Sequence, residues 1–190
     1  MPKTDTFERA LVEGRHLLQR YGFNGFSFKH LAEALGIRTP SLYDHFASKE
    51  ELGNRLIDSY REMLSKWHVK IETLEPPEKV REFFVIFGKF SRDGFKLCPA
   101  SALTADWQTL PKSMRKNIQR LVSDQEAWLA GVIEEGIRRG DFAAGESARL
   151  ATVVYAMGIG APFLARVHGE VAVVEQIQNE ALRFLRGSKT

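Results

Sequence analysis

Residues 26–46 read FSFKHLAEALGIRTPSLYDHF, and the spacing of their apolar side chains decides the fold. Ser27 suits a helix N-cap, Leu31, Ala32 and Leu35 fall on one face, and Gly36 suits a left-handed stop. The link Gly36-Ile37-Arg38 leads to Thr39 as a second N-cap and to Pro40 at a first helical position, where the missing N–H of proline costs nothing. A third helix over Pro40–Phe46 must turn Leu42 and Phe46 inward, because residues four apart share a face, and so Ser41, Tyr43 and His45 outward. Two short helices joined by a glycine-containing turn of three to four residues make a helix-turn-helix.

So short a third helix cannot persist alone in water. Its support comes from upstream, where Phe7, Ala10, Leu11, Leu17, Leu18 and Tyr21 fall on one face of a helix over 7–21. Asp5 with Glu8 is the expected cap at its start and Gly22 the expected stop at its end. Phe23 and Phe26 flank the turn that follows and plug the small core. Downstream, ASKEEL (47–52) places Ser48 and Glu51 as a capping box opening a long helix. Lys49 beside that N-terminus, like the hydroxyl and N–H groups at Ser27, marks a ready phosphate site.

These residues resemble the TetR family of transcriptional regulators. The resemblance rests on Gly22-Phe23, Ser27, Leu31-Ala32, Gly36-Ile37, Leu42-Tyr43, His45-Phe46, Lys49-Glu50 and Leu52, in matching order and spacing over about residues 7–57. It implies that Ser27, Tyr43, His45 and Lys49 grip phosphates, while Arg38, Thr39, Pro40 and Ser41 lie at or near base edges. Phosphate contacts set register and base contacts set sequence. Pro40 stands where many members carry glycine or another small residue.

The rest of the chain reads as helices. From Ser48 a stripe of Leu52, Leu56, Tyr60, Met63, Leu64, Trp67 and Ile71 predicts more than twenty helical residues. Glu75-Pro76-Pro77 breaks it, and Pro77 opens an aromatic helix through Val80, Phe83, Phe84, Phe87 and Phe90. Between Gly94 and Leu110 the pattern predicts a loop and a short helix. A long helix follows from Leu110-Pro111 to Arg138-Arg139-Gly140, then an eighth over 146–167, apolar on nearly every side, and a ninth over 171–185. A terminal helix apolar all round implies burial beyond one subunit, and Ala156, Gly158, Gly160 and Ala161 suit close approach of a second backbone. In the TetR family this helix pair builds a four-helix dimer interface.

The reading is thus an all-α chain of about nine helices: a helix-turn-helix DNA-binding domain over 1–47 and a ligand-binding and dimerisation domain over 48–190. With 44% hydrophobic residues the chain can bury a real core, and a net charge of +3 leaves any DNA contact to a few well-placed groups. One cysteine, Cys98, excludes an intrachain disulfide or cysteine-cluster zinc site and suits a reducing compartment. With no signal-peptide pattern and no run of about 18 apolar residues, the expectation is a cytoplasmic protein with no membrane partner. The five histidines show no metal spacing and no nucleophile-base pairing, so neither an enzyme, a cofactor nor a metal is expected.

The expected partners are a double-stranded DNA operator, a second copy of the chain, and a small, partly hydrophobic effector held among Trp67, Phe87, Trp107 and Trp128 that releases a repressor from DNA. Two alternatives stand beside this. Cys98, just before the short helix, could be a redox trigger, or the protein could be a DNA-binding scaffold for a protein partner.

Overall fold

A computed structural model describes residues 3–187, with side chains from residue 6 onward. The described residues form nine helices and no strand: α1 Lys3–Tyr21, α2 Phe28–Leu35, α3 Pro40–Tyr43, α4 Lys49–Lys70, α5 Pro76–Arg92, α6 Pro99–Thr104, α7 Lys112–Arg139, α8 Ser147–His168 and α9 Ala172–Arg186. They group into two compact units, one of residues 1–66 with 99–121 and one of 67–98 with 122–190. Helices α4 and α7 contribute residues to both.

In the first unit α1 packs on α2 and α6. Its core holds Ala10, Leu18, Phe23, Phe26, Leu31, Leu42, Phe46 and Leu52. Each large apolar side chain so buried stabilises the fold by about 1.5–3 kcal/mol before entropy is counted. Phe7 stacks on Phe46 with ring centroids 5.2 Å apart, so α1 holds the end of the segment that follows α3. Asn54 and Asp58 on α4 bond Ser113 (3.0 Å) and Asn117 (2.9 Å) on the early part of α7.

Several details differ from the sequence reading. The first helix begins at Lys3, upstream of Asp5, so Asp5 is inside it rather than its cap, and the Asp5 side chain lies outside the described residues. Tyr21 and Met63, expected inside, are 55% and 37% exposed. Tyr21 is the last helical residue, and a side chain there overhangs the Gly22 turn. The aromatic helix begins one residue early, at Pro76, and the long helix after Pro111 begins at Lys112.

In the second unit α8 packs on α5 and α9, and α5 on α9. Phe83, Phe84 and Phe87 are buried, as are Val154, Ala161, Ala165, Leu182 and Leu185. Gly158 makes this possible: a Cβ there would stand 2.4 Å from Phe83 Cε1. Gly158 and Ala161 therefore serve packing within the chain, whereas Ala156 faces out and Gly160 meets nothing within 4 Å. The expected set of small residues for a second backbone is thus split between two faces. By length and composition α8 could cross a membrane, and 39% of its apolar window is buried in the chain. Val153, Phe163, Leu164 and Val167 on α8, and Phe184 on α9, are exposed.

Candidate nucleic-acid interface

The reader is built from two caps and a turn. Ser27 takes an extended backbone and its Oγ accepts from the His30 N–H at 3.4 Å, leaving the hydroxyl proton to donate outward. At the other end of α2, Gly36 sits at φ 67°, the left-handed conformation that glycine adopts without Cβ strain. Its N–H and that of Ile37 satisfy the carbonyls of Glu33 and Ala32. This is the turn that swings the chain into α3.

Thr39 precedes α3 but is itself helical (φ −51°, ψ −41°), and its hydroxyl caps nothing. A side chain caps from an extended backbone, so the expected Thr39 cap is not formed. The α-helix is also shorter than expected, ending at Tyr43; the chain continues as turns in which Phe46 N–H donates to the Leu42 carbonyl at 2.9 Å. Leu42 and Phe46 are fully buried, as their spacing requires.

Opposite them, Arg38, Pro40 and Tyr43 are exposed, and Thr39, Ser41 and His45 half-exposed. Tyr43 is 58% exposed, yet its ring rests edge-on against buried Phe28 with centroids 4.9 Å apart. That contact orients the phenol while leaving its hydroxyl end in solvent. Phe28 was missed as a supporting residue although its place at 28, 31, 32 and 35 puts it on the buried stripe of α2.

Lys49 opens α4, where Ser48 Oγ accepts from Glu51 N–H (3.1 Å) and Glu51 reaches back to Ala47 N–H (2.8 Å). The Lys49 ammonium stands over the rings of Phe23 (4.5 Å) and Phe26 (4.9 Å). Desolvation lowers its pKa from the ordinary lysine value, and the Asp106 carboxylate works against that shift. The same carboxylate receives the turn between α1 and α2: Asp106 Oδ2 accepts from Asn24 N–H at 3.0 Å and Oδ1 from Asn24 Nδ2 at 2.9 Å. Asn24 Nδ2 also reaches Thr109 Oγ1 at 2.7 Å.

The expected effector residues are partly brought together. In the second unit Trp67 and Trp128 approach to 5.4 Å, and Phe83 lies 6.5 Å from Trp128 and 5.0 Å from Phe87. Trp107 is not in that unit; it belongs to the first, in the turn after α6. Two members were missed. His68 stacks on Trp128, centroids 4.2 Å apart and planes 9° from parallel, and Gln125, 5% exposed, bonds its imidazole. His68 continues the stripe Leu64, His68, Ile71, which was the available signal. An open cleft between α5 and α9, about 380 Å³, is lined by Phe84, Gly88, Arg92, Val174, Glu175 and Gln178, and by none of the expected residues.

Cys98 is 2% exposed. Burial shuts it from oxidants in solution and disfavours the thiolate, so the redox alternative is not favoured. Nor is the scaffold alternative, because the phenylalanines of α5 that would have to be displayed are inside.

A short helix that presents polar and aromatic groups outward, tethered by capped neighbours, defines a helix-turn-helix DNA reader carried by a larger helical module. Residues 10–56 match the family of bacterial regulatory proteins, tetR family, and residues 76–181 match the tetracyclin repressor-like C-terminal domain. The solved structure of a TetR-family transcriptional regulator from Agrobacterium tumefaciens superposes with a TM-score of 0.92 at 25% identity, covering 98% of this chain and 100% of that one. A TetR transcriptional regulator from Legionella pneumophila superposes at 0.85 with 28% identity, covering 94% and 96%. Over 84 residues, 43% of the chain, the sequence is 36% identical to YezE of Bacillus subtilis (strain 168), an uncharacterized HTH-type transcriptional regulator; the match spans 42% of that protein's length. The chain belongs to the TetR family. It is a DNA-binding transcriptional regulator, and the family is one of regulators rather than enzymes.

Proposed function

We propose that the protein is a cytoplasmic, homodimeric repressor that a small, partly hydrophobic effector releases from its operator. The exposed apolar stripe of α8, with Val153, Phe163, Leu164 and Val167 on one side, is the observation that carries the dimer. Contiguous apolar surface of this kind marks an association site, and α9 adds Phe184 beside it. Two readers in such a dimer meet successive major grooves roughly 34 Å apart on a near-palindromic site. Ser27, Tyr43, His45 and Lys49 hold phosphates, and Arg38, Thr39, Pro40 and Ser41 stand at the base edges.

For Lys49 the packing over Phe23 and Phe26 sets a condition: its ammonium must leave, or share, the rings to meet a phosphate. The effector binds among Trp67, Phe87 and Trp128 of the second unit, with Trp107 as a further member only if the two units present it there. Because α4 contributes to both units, an effector that prefers one arrangement of α4 shifts the spacing of the readers; equal affinity for both would move nothing. The test of the reader is operator affinity for Tyr43→Ala and Lys49→Ala, with the operator obtained by selection from a random-sequence pool. Weaker binding is expected for both, and unchanged affinity in the two together rejects the assignment.

A further inference from the structure

The cluster around His68 contains a buried polar atom that the chain leaves unanswered. Imidazole Nε2 is inaccessible and has no hydrogen-bond partner, although buried polar groups in folded proteins are nearly always paired. Around it stand flat apolar walls: Trp128 is parallel to the imidazole at 4.2 Å, Trp67 lies 5.2 Å from the imidazole and 5.4 Å from Trp128, and Phe83 closes on Trp128 and on Tyr155. On the imidazole's other side is Gln125.

The sense of the missing bond follows from chemistry. The Gln125 contact favours the protonated imidazole, so a ring N–H donates to the amide oxygen, while desolvation, the larger effect, holds the pKa down at about 4. With Nε2 the unpartnered atom, the proton of the neutral ring is on Nδ1, and Nε2 presents a bare lone pair. Such an atom calls for a donor and gives an ether or a carboxylate nothing to bond.

We infer that His68 Nε2, fixed by Gln125 and walled by Trp67, Trp128 and Phe83, is the polar anchor of the effector site, and that it takes an uncharged aromatic ring bearing a hydrogen-bond donor, of the phenol class. This rests on the ligand-responsive reading above and adds the chemistry of its ligand. The aromatic body occupies the space beside the tryptophans, and its O–H completes the imidazole.

Two of the three tryptophans are in the cluster, so intrinsic fluorescence reports directly on it. The full chain is titrated with phenol, with anisole, which keeps the ring but has lost the donor, and with benzoate. Phenol is expected to quench saturably and to bind at least about tenfold tighter than anisole or benzoate, since a site built to satisfy a hydroxyl rejects the analogue without it. His68→Phe, which keeps a flat ring, is expected to bring the ratio near one. The nitrogen chemical shift of His68 Nε2 in the unaltered chain, moving with phenol and not with anisole, gives the same answer if the variant does not fold. Equal affinities, no saturable binding (an ordered water only at Nε2), or a ratio that survives His68→Phe overturns the inference. Operator release is measured alongside. Donor-dependent binding that leaves operator affinity unchanged supports the site and rejects the effector reading. Release by a metabolite of another class, with no phenol binding, rejects the site and keeps the effector reading.

Discussion

Asp106 holds Asn24 with both carboxylate oxygens, one on the backbone amide at 3.0 Å and one on the side-chain amide at 2.9 Å. These residues are 82 apart in sequence, and their contact ties the turn between α1 and α2 to the turn after α6. It stands beside Phe23 and Phe26, the two rings under the Lys49 ammonium, and so braces the start of α4. Hydrogen bonds to a charged acceptor contribute about 1.5–3 kcal/mol each when shielded, and partial exposure here reduces the pair to about 2 kcal/mol in all. Asp106→Ala is expected to lower Tm by about 4–8 °C, by calorimetry. Asn24→Ala should cost about as much, and the double variant little more than either. Additive losses would show that the two residues are not coupled.

Two helical glycines offer opposite outcomes from the same substitution. At Gly53 a Cβ would stand 2.5 Å from Met114 Cε and 2.9 Å from Phe23 Cε2, while at Gly131 it would meet nothing within 4 Å. Gly53→Ala overpacks the first unit and is expected to destabilise by about 1–3 kcal/mol. Gly131→Ala removes backbone entropy from the unfolded chain and is expected to stabilise by about 0.5–1 kcal/mol. Urea midpoints of the two variants, measured against the parent, decide it; shifts of the same sign would contradict the packing.

What could be read in advance followed locality. The Ser27 cap, the stripe Leu31, Ala32 and Leu35, and the Gly36 stop are signals within nine residues, and α2 forms where they place it. The end of α3 was not legible, because Asp44 and His45 keep the chain turning after the α-helix stops, and only Phe46 docking decides how far it runs. Gly158 and Gly160 look alike as letters. Two residues apart on a helix they face nearly opposite ways, and the position of Phe83 settles which one is inside. Trp107, Trp67 and Trp128 likewise carry no mark of which unit each joins. His68 was half legible: the stripe gave its inward face, but only the fold shows Trp128 against its ring.

Acid should weaken the second unit through His68. Its folded pKa is about 4 and its unfolded value near 6.5, so between those limits the unfolded chain binds the extra proton. Stability from this group is complete above pH 6.5 and is lost as pH falls toward 4. Allowing for the part of the ring that solvent reaches, the loss is about 1 kcal/mol, or about 2–4 °C in Tm. Carboxylates titrating in the same range are common to the parent and to His68→Phe. The difference between their Tm values, taken by calorimetry at pH 7.5, 6 and 5, should therefore narrow in favour of the variant as pH drops. A constant difference would mean that His68 is charged, or solvated, in the fold.

The last prediction separates packing within one chain from pairing of two. Gly160 has open space where its side chain would be, and along α8 it lies between Val153 and Val167, in register with exposed Ala156, Phe163 and Leu164. If two copies pair through α8 and α9, that open space is where a second backbone comes close. Gly160→Leu then leaves the single chain intact, and replacing a helical glycine by leucine even favours the helix, but it wedges the pair apart. Light scattering on the eluting protein should give the parent twice the 21.5 kDa chain mass and the variant that mass once, with helical content by circular dichroism unchanged. Operator affinity should fall with it, because a lone reader keeps only one half-site. Phe163→Glu should act in the same direction by placing a charge in the stripe. A Gly160→Leu protein that remains dimeric would put the contact on another face, and with it the spacing of the two readers.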